Sequence, residues 1–207
     1  MDADASAPND VFINCPYDPG YARTFEALVF VVHALGFRAR AAREIDDGAD
    51  VRIERIVRII RECRYGIHDL SRAELDPNTG YARFNMPFEL GVFLGAKRFG
   101  NTEQRKKSTL VLDIDPFRYR NFISDIAGND PHAHGGEPVQ AIRKVRDWLA
   151  ECLWPKAAKC QPCRGTISAV SAGFARPGGI QGFDLNAIPY VDYLYFVTEW
   201  LTLDIGA

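Results

Sequence analysis

The sequence predicts an α/β protein: a parallel sheet covered by helices on both faces. Two observations lead there. Short β-rich runs at 10–14, 37–42, 65–70 and 109–114 alternate with stretches of helical periodicity. Each interval is long enough for a crossover helix, which parallel neighbours require, and such crossovers cover the sheet. A third observation sets the scale: 207 residues at 47% hydrophobic and 25% charged content suit one compact domain with a modest extension.

The elements follow in order. Asp10-Val11-Phe12-Ile13-Asn14 reads as the first strand, stopped by Cys15-Pro16, with a loop to Gly20. Tyr21 to Leu35 places Phe25, Leu28, Val29, Val32 and Leu35 at helical spacing, which predicts one buried face, and Gly36 is its stop. Phe37 to Ala42 is the second strand, and Glu44 to Gly48 is loop chemistry. Asp50 to Cys63 reads as an amphipathic helix whose arginines at 52, 55, 58 and 61 form a basic stripe, a solvated face or an anion- or partner-docking one. Tyr65 to Leu70 is the third strand. A polar loop with the turn Asp76-Pro77-Asn78-Thr79-Gly80 leads to a third helix, capped by Asn85 or Met86, with Pro87 in its first turn. Gly91 and Gly95 share a face of that helix and suggest close packing. Thr109 to Ile114 is the fourth strand. Phe117 to Ile126 and Val139 to Leu153 read as helices joined by a Gly- and Asp-rich loop, 128–136. The expected strand order is 2-1-3-4, flavodoxin-like, with room for a fifth strand.

Residues 1–9 read as a disordered N-terminus, 10–153 as the α/β domain, and 154–207 as a C-terminal extension packed on it, ending in a helix from Tyr190 to Leu203. That helix carries a stripe of Tyr193, Phe196, Val197 and Trp200 suited to a core.

Composition narrows the function. Twenty-five basic against 27 acidic residues give a net charge of -2, so no global field draws the chain to nucleic acid or an anionic membrane. The longest apolar run, Ala27 to Phe37, is about half of what spans a bilayer. With no signal-like start and an odd number of scattered cysteines, a cytoplasmic protein with reduced thiols is expected. Cys160 and Cys163 have the spacing of half a zinc site, and His132 and His134 could complete it, but no second pair exists and no metal is expected.

In open α/β sheets ligands bind beyond the carboxyl ends of the strands. The loops there offer Asn14, Pro16, Tyr17, Asp18, Glu44, Asp69, Ser71 and Asn85, and the third helix brings Glu89. Neither GxGxxG nor GxxxxGK occurs, and no Ser/His/Asp set stands out. Glu89 is the leading catalytic candidate, because a carboxylate at a helix start should be kept ionised by the helix dipole and could stabilise or trap a sugar oxocarbenium ion. Completing the helix start is its plain structural alternative. Tyr17 could stack on a base or sugar, and Asn14, Asp69 and Ser71 could bind hydroxyls.

At these residues the chain resembles the group that joins nucleoside 2-deoxyribosyltransferases with TIR domains. Asp10 to Asn14 resembles the first TIR strand, and Asn14-Cys15-Pro16-Tyr17 is similar to the transferases' small-Pro-aromatic loop. Glu89-Leu90-Gly91 resembles their nucleophile segment and sits where TIR domains carry a catalytic glutamate. Glu44 to Gly48 matches a mobile TIR loop, and Ile67 to Ser71 the strand that ends in serine. The tryptophan that TIR domains often carry four residues before the glutamate is Asn85 here.

The resemblance implies a bacterial TIR-like protein that cleaves NAD or a related nucleotide as substrate, with no other cofactor, often in antiviral defence and with self-association. A nucleoside 2-deoxyribosyltransferase, needing a second acid such as Asp69 or Asp18, and a non-catalytic nucleotide-sensing or assembly module are the alternatives.

Overall fold

A computed structural model describes residues 7–44, 49–76, 79–153 and 190–204. Five parallel strands form one sheet in the order β2-β1-β3-β4-β5: β1 (Ala7–Asn14), β2 (Arg38–Arg40), β3 (Cys63–Asp69), β4 (Ser108–Asp113) and β5 (His132–Ala133). The helices are α1 (Ala22–Ala34), α2 (Arg52–Glu62), α3 (Asn85–Phe99), α4 (Pro138–Leu153) and α5 (Tyr190–Asp204). The flavodoxin-like order expected from sequence is the one observed, with the fifth strand added.

Period-two alternation along the strands divides the core. Val11, Ile13, Tyr65, Ile67, Leu110 and Leu112 point to the face covered by α1, α4 and α5. Phe12 and Val111 point to the opposite face, where α2 and α3 supply Ile56, Ile59, Ile60, Leu90 and Phe93. Helix α1 is more enclosed than its periodicity predicts: every residue from Thr24 to Val32 is buried, because α4 and α5 flank the side that a two-layer packing would leave wet. It ends as expected, with Gly36 at φ 78° and its amide donating to His33 O at 2.9 Å.

Helix α2 runs directly into β3. Lys107 makes that junction possible: its buried Nζ donates to Ile60 O at 2.6 Å and to Cys63 O, placing a cation at the negative end of the helix.

Several boundaries differ from the sequence reading. Residues 7–9 belong to β1 rather than to a disordered N-terminus, through a register shift between Ala7 and Val11 against β3. The stretch 117–126 is not an α-helix but two 3-10 turns, Arg118–Asn121 and Ser124–Ile126. Phe117 is left-handed at φ 62°, and the Arg118 guanidinium turns back to Asp113 and Leu70 O, so the chain bends at the strand end instead of coiling away. β5 lies within the stretch read as loop. The extension's last helix packs on α1, with Tyr193 Oη donating to Glu26 O at 2.9 Å and Tyr190 Oη to Ala39 O at 3.2 Å. Residues 154–189, including Cys160 and Cys163, lie outside the described residues. Among the described residues no helix is long and apolar enough to cross a membrane.

The glycines that matter for close packing are not the pair on α3. A Cβ at Gly91 or Gly95 would meet nothing within 4 Å, whereas one at Gly66 in β3 would lie 2.7 Å from the Phe93 ring and 2.8 Å from His68 Nε2. The strand is the element that must be bare, because α3 drives an aromatic ring onto it. Gly66→Ala should therefore lower stability by about 2 kcal/mol through overpacking. Chemical denaturation should show a lower midpoint with an unchanged slope.

Candidate active site

The carboxyl end of β1, the loop after it, the start of α2, Arg83 and the first turns of α3 enclose a cleft of about 330 Å³. Six of the residues singled out from sequence meet there: Asn14, Pro16, Tyr17, Asp18, Asn85 and Glu89. Arg52 and Arg83, not singled out as site residues, complete its wall.

Glu89 owes its place to α3, which starts at Asn85 behind Phe84, a residue that gives no side-chain cap. Asn85 is thus the first helical residue rather than the cap. Glu89 falls on the second turn, only 6% exposed, and its carboxyl makes no hydrogen bond or ion pair with any described residue. Burial pushes its pKa up to about 7, against the lowering pull of the Arg52 charge. The ionised form that the helix dipole is expected to favour is opposed by desolvation, because the dipole fades beyond the first turn while burial acts on the carboxyl directly.

The stability linkage has a definite sign. A carboxyl whose folded pKa lies above its unfolded value loses stability as pH rises through about 7. Glu89→Gln removes the ionisation, so it should gain about 2 kcal/mol at pH 8 relative to its effect at pH 5. Thermal denaturation of both proteins at the two pH values measures this directly.

Asn14 holds α3 to the sheet. Its Nδ2 donates to Met86 O at 2.9 Å and to His68 Nδ1 at 3.0 Å, so both amide hydrogens are engaged below the cleft. His68 accepts at Nδ1 and is neutral: burial, with a smaller push from Lys107, lowers its pKa to about 3. Its ring lies edge-on to Phe12 and Phe93, with centroids at 5.8 and 4.9 Å. Sequence reasoning did not select His68, whose only signal is its position on the alternating inward face of β3.

Asp69 and Ser71 lie behind the cleft wall. Tyr21 Oη donates to Asp69 Oδ2, Ser71 N donates to Oδ1 at 2.9 Å, and His134 Nε2 reaches Oδ2 at 3.0 Å. His134 Nδ1 accepts from Gly136 N at 3.1 Å, which leaves the ring proton on Nε2 for Asp69, with Ser71 Oγ 3.0 Å from the same nitrogen. Burial opposes ionisation of Asp69, but the bonds from His134, Ser71 and Tyr21 outweigh it and hold the pKa below the usual carboxylate value. The trio is not a nucleophilic relay, since one nitrogen serves both partners inside the protein. This cluster pins β5 and the loop after β3 to the sheet. Asp69→Asn places an amide donor against three donors and should cost about 3 kcal/mol, seen as a lowered melting temperature.

The remaining candidates divide. Tyr17 packs edge-on to Phe25 at 5.4 Å, carries Arg43 over its ring, and lines both the cleft and a smaller cavity beneath α5. Glu44 is not in the cleft; it accepts from Arg40 Nε at 2.8 Å and from Ala41 N at 2.9 Å, and residues 45–48 of the same loop are outside the described residues. Asp18 pairs with Arg83 at 2.6 Å and with Arg72 at 3.9 Å. His132 is exposed, His134 is engaged with Asp69, and among the described residues no cluster of His, Cys, Asp and Glu is placed to hold a metal ion.

Fold and cleft together define an α/β protein of flavodoxin-like strand order with a buried carboxyl, unpartnered among the described residues, at the sheet's carboxyl edge. In comparison with known proteins, the chain matches no protein family, no curated protein and no solved structure.

Proposed function

We propose that the protein is an N-glycosidase that cleaves the N-ribosyl bond of NAD or a related nucleotide, with Glu89 as the catalytic carboxylate. The observation that carries this reading is the Glu89 carboxyl itself: almost fully buried, bonded to none of the described residues, and open to a cleft at the end of β1. A structural carboxylate in such a place would have donors, as Asp69 has.

The chemistry needs little else. As the bond between C1 of the ribose and the nicotinamide nitrogen breaks, its electron pair leaves with nicotinamide, which departs neutral. The positive charge moves to the ribosyl oxocarbenium, which the ionised Glu89 stabilises or traps, and water then adds at C1 and releases a proton. A cationic leaving group needs no general acid. An ordinary nucleoside does; of the two residues considered for that role, Asp69 is held by Tyr21, Ser71 and His134, and Asp18, on the cleft wall, has its Oδ1 paired with Arg83 at 2.6 Å. This supports a cationic ribosyl substrate over nucleoside transfer.

Because the working form is the ionised one, kcat/KM for NAD should rise with pH and level off above an apparent pKa near 7. Glu89→Gln should lower turnover by roughly 100-fold or more. The test is release of nicotinamide followed by chromatography, with the protein concentrated to favour self-association and a panel of deoxynucleosides run beside it. Base exchange among the nucleosides, or equal release by the Gln variant, would overturn the proposal.

A further inference from the structure

Resting on the Glu89 reading, we propose that Arg52 is the phosphate-recognition residue of this cleft, so that its ligand is a phosphorylated ribosyl compound and not a bare nucleoside.

The basic stripe of α2 is not one surface. Arg58 pairs with Asp50 at 2.5 Å and the largely buried Arg55 lies 4.0 Å from the same carboxylate. Arg52, one turn earlier, is exposed, lines the cleft, and has no ion pair among the described residues. Its charge reaches the cleft, since it acts on both Glu89 and Tyr17. Arg83, the other guanidinium on the wall, is already neutralised by Asp18 at 2.6 Å.

Arg52 also opens its helix. Val51 gives α2 no side-chain cap, and α3 begins without one at Asn85 on the same cleft. Two helix N-termini and one unneutralised guanidinium thus face a single space, an arrangement suited to phosphate oxygens. The independent mark of a ligand is Glu89, a buried carboxyl, unpartnered among the described residues, that lines that space. Arg52 and Glu89 do not pair with each other, so the cleft keeps opposite charges apart. Such a cleft complements a molecule that is anionic at one end and cationic, or becoming so, at the other. A ribosyl ring with phosphate on one side and a departing cationic base at C1 has that polarity; a nucleoside has only half of it.

Binding tests this without turnover. The full chain would be titrated calorimetrically with ADP-ribose, inorganic pyrophosphate and adenosine, comparing wild type, Arg52→Ala, Arg52→Lys and Arg58→Ala. ADP-ribose should bind more tightly than adenosine, and Arg52→Ala should weaken ADP-ribose about tenfold or more, as expected for loss of charged hydrogen bonds. The Lys variant should recover part of the loss. Arg58→Ala, which removes a cation already held by Asp50, should leave binding unchanged.

Equal affinity for ADP-ribose and adenosine, an Arg52→Ala variant that binds like wild type, or no binding of any probe would overturn the inference. Arg52-dependent binding of ADP-ribose with no nicotinamide release from NAD would sustain it while removing the cleavage reading. Glu89-dependent nicotinamide release from NAD, with an Arg52→Ala variant that binds ADP-ribose like wild type, would do the reverse.

Discussion

The side-chain amide of Asn14 is the contact on which the cleft depends. It lies at the end of β1, beside β3, and its two hydrogens go to His68 of β3 and to the Met86 carbonyl in the first turn of α3. One side chain therefore fixes the separation of two strand ends and the start of the helix that carries Glu89. The arrangement is stiff because its acceptors are buried. His68 is wedged between Phe12 and Phe93, and Phe93 in turn sits on the bare backbone of Gly66. A shift of α3 would strand a donor or an acceptor away from water, at a cost of about 1–3 kcal/mol for each group.

Around that contact the molecule treats its buried carboxylates in two ways, and the difference marks the site. Asp10 is answered by Arg38 and Arg40, Asp69 by Tyr21, Ser71 and His134, and Asp113 by Arg118 and the Ile114 amide. Each holds a strand end or a sheet edge in place. Glu89 is buried to a similar degree and receives no hydrogen bond from any described residue. Leaving one carboxyl desolvated and unpaired opposes folding above neutral pH, the kind of local cost that structures tolerate where a ligand is to supply the missing partner.

The sequence made the sheet legible because its signals are local. Strand alternation, the glycine stop after α1 and the cleft-forming residues Asn14, Pro16, Tyr17 and Glu89 can all be read within short windows. What could not be read depends on contacts between distant segments. The burial of α1 on all sides from Thr24 to Val32 comes from α4 and α5. The 3-10 turns after β4 arise because Arg118 turns back on Asp113 and on a carbonyl from β3. Asp69 and Ser71 looked like ligand-binding residues because they end a strand beside a polar loop. Only His134, more than sixty residues away, shows that they face inward. The raised pKa of Glu89 is hidden for the same reason: the helix dipole is visible in sequence, but desolvation is set by everything packed around the side chain.

The same long-range logic shapes the wall of the cleft formed by the loop after β1. Cys15 to Pro19 is backed by Phe25 of α1, whose ring also lies 5.6 Å from Tyr190 at the start of α5, and Tyr17 borders the cleft on one side and the cavity beneath α5 on the other. Tyr190 and Tyr193 anchor α5 through hydroxyls bonded to carbonyls of β2 and α1. The C-terminal helix is therefore structural support for the loop facing Glu89, although it lies far from that loop in sequence. The geometry of the cleft rests on two braces: Asn14 with His68 beneath α3, and the aromatic stack of Tyr17, Phe25 and Tyr190 beneath the loop.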